Sequence, residues 1–299
     1  MFDRIVADNV RMTATVIAAA SAGFGRDLGA CLARIEVLVE AAHQRGAQLL
    51  VLPESALGGY LREPLPDEPP GLDLPPALSP DDPELAALAR IAGDMVLCAG
   101  YTERGADGSL HSSAVCVNGD GVLGHQRKVH LPPAERFAFS AGDGFAAFDT
   151  PVGRLGMLVC YDKLFPEAAR ALALDGAEIV CALAAWPVDR TDPAPHVAQD
   201  RQTRHFDLCD ELRAVENQVV WVAANQTGPW GPRHFLGSAK VVDPDGIVRA
   251  HTGVGEGLAV AEVDVGAEIA QLRGHIDHLG DRRPEAYGAP PGAAAALNG

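Results

Sequence analysis

The strongest constraint in this sequence is one order of elements that occurs in both halves. In the first half, an apolar run from Met12 to Ala19 is followed by Leu28, Cys31, Leu32, Ile35, Leu38, Val39 and Ala42 at helical spacing, and then by a second apolar run, Leu49 to Leu52. Short apolar runs on either side of an amphipathic helix predict strand, helix, strand, with the strands buried in a sheet. In the second half, Arg154 to Cys160 and Glu178 to Leu183 read as strands around a helix from Pro166 to Asp175, with Pro in its first turn and Gly176 at its end. A helix from Gln199 to Asn217 then leads into a strand from Val219 to Ala224. The fold class is α/β. No sequence repeat accompanies the shared order.

Between the halves, the proline-rich and acidic stretch from Pro64 to Pro83 has no sustained period and reads as a long surface loop, a candidate rim or lid. A short helix (Pro83 to Ala92) and strands near Met95 to Gly100, Ser113 to Val117 and Val122 to Val129 follow, the last two joined by the turn Asn118-Gly119-Asp120-Gly121. Strands near Ser238 to Val242, Ile247 to Ala250 and Leu258 to Val263 close the core. Because the 22 Pro and 32 Gly are spread along the chain, no linker divides it. Residues 1–299 are expected to form one domain, with 284–299 as a loose C-terminal tail.

A formal charge of -16 repels phosphate backbones and anionic lipid, which argues against nucleic acid and membrane surfaces as partners. Met12 to Ala22 follows Arg4 and Arg11 and ends in small residues, as a secretory leader would, but Asp3 and Asp8 precede it, so it is read as the first strand. No run reaches the roughly 18 apolar residues of a membrane span. The cysteines Cys31, Cys98, Cys116, Cys160, Cys181 and Cys209 form no Cys-x-x-Cys pair, and most lie in apolar runs, which fits a reducing cytoplasm. The histidines show no metal-ligand spacing with them, so neither a metal nor another cofactor is expected.

The chemistry centres on two strand ends. Glu54 follows the run Leu49 to Leu52, where a strand leaves the sheet. Cys160 stands between a strand and a helix, where a helix N-terminus and a nearby cation would lower its pKa and favour thiolate. From position alone, a buried structural cysteine fits as well.

The run Cys160-Tyr161-Asp162-Lys163-Leu164-Phe165-Pro166-Glu167 resembles the nucleophile motif of the nitrilase superfamily of carbon-nitrogen hydrolases. Three further segments fall in that family's order. Leu50-Val51-Leu52-Pro53-Glu54, after Gly46-Ala47-Gln48, is similar to the segment carrying the general base; Arg127-Lys128-Val129-His130-Leu131 to the lysine segment; and Glu135-Arg136-Phe137, followed by Ser140-Ala141-Gly142-Asp143, to the segment holding a second glutamate. The resemblance runs from about Met12 to Arg282-Arg283-Pro284-Glu285, with departures at Ala20-Ser21, where the family often has glutamine, and at Lys163, where subfamilies differ. It implies a four-layer α-β-β-α sandwich, a small-molecule substrate and a homodimer or larger homo-oligomer.

The resemblance also implies roles: Cys160 as nucleophile, Glu54 as base and later acid, Lys128 with the Tyr161 backbone amide as oxyanion holder, and Glu135 as the group that orients Lys128 or the substrate. Taken singly, Glu54 could be a turn cap, Lys128 a solvated strand end and Glu135 a loop charge; their joint order argues otherwise. The Cys-Tyr-Asp-x-x-Phe-Pro-Glu form looks more like the amidase branches, so hydrolysis of a small amide to acid and ammonia through a thioester is expected, with nitrile or N-carbamoyl hydrolysis as alternatives. A non-catalytic scaffold would be expected to lose one of the four residues, and all are present. Trp186, in Ala184-Ala185-Trp186-Pro187, and Tyr60 are candidate walls of the acyl pocket, as is Phe137, although each could be core. Arg201 and Arg204 could meet a substrate carboxylate, but surface ion pairing explains them more simply, and nothing places His130 near Cys160.

Overall fold

The computed structural model describes residues 14–63, 71 and 73–287. The first expected unit is β1 (Thr15–Ser21), α1 (Leu28–His43) and β2 (Leu49–Val51); Met12 and Thr13 of the expected first strand lie outside the described residues. Asp27 caps α1, its side chain accepting from the Ala30 amide at 2.7 Å, and Cys31, Ile35, Val39 and Ala42 form the helix's buried stripe.

Within the stretch expected to be an irregular loop, residues 64–70 and 72 lie outside the described residues, but Ala77–Leu78 forms a short strand, β3, beside β4. Next come α2 (Pro83–Ala92), β4 (Val96–Arg104), β5 (Leu110–Asn118), β6 (Gly121–Arg127), β7 (Phe148–Thr150), β8 (Gly153–Val159), α3 (Pro166–Leu174) and β9 (Ile179–Ala184). The rest is α4 (Arg201–Asn217), β10 (Val220–Asn225), β11 (Thr227–Trp230), β12 (Arg233–Leu236), β13 (Lys240–Val242), β14 (Val248–His251), β15 (Gly257–Val263) and α5 (Val265–His275). Of the expected tail, Pro284–Ala286 is a 3₁₀ turn, and 288–299 lie outside the described residues.

Thirteen of these strands join in the order β6-β5-β4-β2-β1-β10-β9-β8-β7, with β15 on β1, β3 on β4, β13 on β10 and β14 on β13. The sheet around β1 (β6-β5-β4-β2-β1-β15) and the sheet around β10 meet through one backbone pair, Ser21 with Asn225, and fold face to face about that seam. Side-chain alternation assigns the layers. Ile17, Ala19, Val51, Cys98 and Cys116 point inward against Met157, Cys181 and Leu183, whereas Ala18, Leu50, Leu97 and Val115 point outward beneath α1 and α2. On the other half, Gly156 lets α3 close onto β8, since a Cβ there would lie 2.8 Å from Leu172. Helices on both outer faces and two sheets between them give the expected α-β-β-α sandwich, its sheet nearly closed on itself.

The sandwich brings the ends of β2, β6 and β8 to one edge. Just beyond β2 and β8 the backbone turns left-handed at non-glycine residues, Ser55 with φ 57° and Cys160 with φ 49°. Such strain persists where the surroundings over-determine it, and it gathers at functional sites.

Candidate active site

Glu54 leaves β2 through Pro53, and the turn behind it packs onto Gly100 of β4. A Cβ at Gly100 would stand 2.6 Å from the Glu54 Cα, so glycine is needed for the close approach. The turn is fixed by bonds from the Gly100 amide to the Pro53 carbonyl and from the Leu57 amide to the Gly100 carbonyl. The Glu54 carboxylate accepts from Lys128 Nζ at 2.8 Å and Ser112 Oγ at 3.0 Å through Oε1, and from the Ala185 amide at 2.9 Å through Oε2.

Lys128 follows β6, with its amide on the Ser112 carbonyl and its carbonyl receiving the Gly142 amide. Alternation carries Arg127 to the outer face and Lys128 to the inner one, where it is fully buried. Its Nζ also donates to Glu135 Oε1 at 2.7 Å. Glu135 opens a 3₁₀ turn (Glu135–Phe137), and its Oε1 accepts in addition from the Tyr60 hydroxyl. Glu135 Oε2 is buried and has no hydrogen-bond partner among the described residues.

Cys160 starts a 3₁₀ turn (Cys160–Leu164) that Asp162 braces, its carboxylate accepting the amides of Val159 at 3.1 Å and His130 at 2.8 Å. The thiol is within electrostatic reach of Glu54, Lys128, Glu135 and Tyr60, and it interacts with the Ala185 backbone. Glu54, Lys128, Glu135 and Cys160, from three separate stretches of the sequence, therefore share one buried cluster. Tyr60 belongs to it and stacks edge-on against Phe235 with centroids 5.7 Å apart.

The electrostatics correct one expectation. Burial, then the Glu54 carboxylate, push the Cys160 thiol well above its ordinary value, so at rest it holds its proton. The neighbouring Lys128 cation does lower the thiol, but burial and the two carboxylates outweigh it. Lys128 is the reverse case: burial opposes its charge, but Glu135 and Glu54 outweigh burial and hold it well above the usual lysine range. Burial raises Glu135.

The remaining candidates divide. Trp186 is buried, with its amide on Asn225 Oδ1 at 2.8 Å and its Nε1 on Gln202 at 3.0 Å. Tyr161 is half-buried against Phe165. Phe137, expected as an apolar wall, is instead 86% exposed, because its turn points Glu135 inward and leaves the phenyl ring outside. Arg201 pairs with Asp189 at the surface, as the ion-pair reading has it, and Arg204 is exposed. His130 bonds Asp162 and stacks on Phe165 at 3.7 Å. Ser112 and the Ala185 amide were missed by the sequence reading. A signal existed for the first, since Ser112 and Ser113 are adjacent hydroxyls at the start of the apolar run Ala114 to Val117. Among the described residues no group of three or more His, Cys, Asp or Glu could hold a metal ion, and no helix is long and apolar enough to cross a membrane.

The carbon-nitrogen hydrolase family model matches residues 13–272. The human deaminated glutathione amidase is 33% identical over 277 residues, covering 87% of this chain and 75% of that protein. A nitrilase of Pyrococcus abyssi is 32% identical over 260 residues, covering 85% and 91%. Among solved structures, an amidase of the nitrilase superfamily from Nesterenkonia superposes with a TM-score of 0.74 at 28% identity, covering 92% of this chain and 97% of its own; in another form of that enzyme the acetamide moiety of fluoroacetamide is added covalently at the active-site cysteine. With the family model spanning most of the chain and both sheets and helices matched in space, this protein belongs to the carbon-nitrogen hydrolases of the nitrilase superfamily.

Proposed function

We propose that this enzyme hydrolyses a small amide to a carboxylic acid and ammonia through a thioester on Cys160. The observation that carries the amide reading is Glu135 Oε2, a buried acceptor in the site that has no partner among the described residues. An amide NH₂ has a hydrogen to donate to it; a nitrile nitrogen has none.

Glu54 takes the proton from the Cys160 thiol as sulfur bonds to the carbonyl carbon, and the C=O electron pair moves onto oxygen. The Lys128 ammonium and the Tyr161 backbone amide hold that oxyanion. A lysine kept charged by two carboxylates acts as an electrostatic anchor and not as a base. When the C–N bond breaks, Glu54 returns the proton to the departing nitrogen, which leaves as ammonia. Glu54 then draws a proton from water, whose oxygen attacks the thioester carbon, and the acid leaves as the thiol is restored. The raised thiol pKa fits this order, because proton transfer and attack can occur together and no resting thiolate is required.

The test is ammonia release from parallel panels of amides, nitriles and N-carbamoyl compounds, with Cys160→Ala as control. Release from amides that the variant abolishes while keeping its fold is the expected result. Release confined to nitriles or N-carbamoyl compounds would replace the substrate class, and release that survives in Cys160→Ala would remove the mechanism.

A further inference from the structure

Lys163 lies in the same 3₁₀ turn as Cys160 and is completely buried. Its Nζ donates to Asp210 Oδ1 at 2.9 Å, with the Phe206 carbonyl at 3.4 Å. The same nitrogen is 2.9 Å from the centroid of the Phe206 ring and 5.1 Å from that of Trp186, so two aromatic faces surround the charge. Asp210 in turn accepts from Lys240 Nζ and from Trp221 Nε1. A leucine would pack here without taking an ammonium out of water, so the charge calls for a reason beyond filling space.

That reason lies in what Lys163 connects. Its backbone carbonyl accepts from Arg213 Nε at 3.0 Å and that of Leu164 from Arg213 Nη2 at 3.2 Å, which ties the nucleophile turn to α4. Its side chain reaches Trp186, the residue after Ala185, whose amide bonds Glu54 and whose backbone contacts Cys160. Lys163 thus spans the two segments that hold the sulfur and the carboxylate.

We propose that Lys163 is a positioning residue for the hydrolysis, locking the Cys160 turn and the Ala185-Trp186 segment into one arrangement. This rests on the reading of Cys160 as nucleophile. Burial, aided by Lys240 and opposed by Asp210, brings Lys163 down to about 8. From α4 the groups facing it are Asp210 and Cys209, with Asp207 and Arg213 around them; from β13 it is Lys240. Above that pH the ammonium loses its proton, and with it the hold on Asp210 and the rings.

The experiment measures alkylation of Cys160 by iodoacetamide from about pH 6 to about pH 10 by peptide mass spectrometry, beside ammonia release, in the wild type, Lys163→Met and Asp210→Asn. The wild type should show a step near pH 8. Lys163→Met should lose the step and turn over about tenfold more slowly, with KM within about twofold. Asp210→Asn should move the step to lower pH, because the ammonium loses its counter-ion. A Lys163→Met profile and kcat that superimpose on the wild type would overturn the proposal. If that variant does not fold, an unmoved step in Asp210→Asn overturns it. Alkylation needs no assigned substrate, so the loss of the step in Lys163→Met supports positioning even where no amide is turned over, and that second result counts against the hydrolysis alone.

Discussion

Replacing Lys128 with methionine isolates the charge at the centre of the site, because the two side chains are similar in length and the position is fully buried. What disappears is one cation at 2.8 Å from Glu54 and 2.7 Å from Glu135, leaving two carboxyl groups side by side. Breaking a buried ion pair by removing one partner costs about 3–5 kcal/mol. In a chain of this size roughly 2 °C of melting temperature goes with each kcal/mol, so a fall of about 6–10 °C near pH 7 is expected. The pH dependence has a definite sign. Glu135 is already raised by burial, and losing Lys128 raises it further. A carboxyl raised above its unfolded value contributes stability that is complete below the unfolded pKa and is lost as pH rises through the folded one. Lys128→Met should therefore regain stability on going from about pH 7 to about pH 5, relative to the wild type, as the pair takes up a proton. Calorimetric melts across that range read the effect, and turnover should fall about 10²–10³-fold with the proposed oxyanion holder gone. A variant that melts within about 1 °C of the wild type at every pH would mean that Lys128 does not compensate two buried carboxylates.

Two further perturbations follow from the geometry. Gly100→Ala drives a methyl group against the Glu54 backbone, so it should cost at least about 1–3 kcal/mol in melts and reduce turnover more than substrate affinity, because the displaced group is the proposed base. On the outer face of the sheet, Glu103 is held well below the usual carboxylate range: burial opposes its charge, but His125, Arg127 and Ser113 outweigh it. A depressed carboxyl stabilises above its unfolded pKa and loses that contribution as pH falls through its folded one, so Glu103→Gln should cost about 2 kcal/mol near pH 7 and less under strong acid, as urea titrations at several pH values would show.

Much of this architecture was legible because the informative signals are local. The stripe Cys31, Ile35, Val39 and Ala42 gives α1, and Pro166 with Gly176 brackets α3. Glu54 and Cys160 stand out because each ends an apolar run. Other features escaped for physical reasons. The hairpin β11–β12 carries Gly228, Pro229, Gly231 and Pro232 and forms a two-stranded sheet apart from the large one, so its strands read as loop. The helix α5 buries only Val265 and Ile269 and shows a weak stripe. The upward shift of Cys160 comes first from burial and then from the Glu54 carboxylate, 106 positions away in sequence, and neither is visible in the residues around Cys160. The Lys163–Asp210–Lys240 network was invisible for the same reason: nothing local says that two lysines share one buried aspartate.

A thioester on Cys160 can be caught by peptide mass spectrometry of enzyme quenched in acid during turnover of an amide. An added mass equal to the substrate's acyl group on the Cys160 peptide, absent from Cys160→Ala, is the predicted result. Acyl mass on a different residue, or steady turnover by the alanine variant with no adduct, would contradict it.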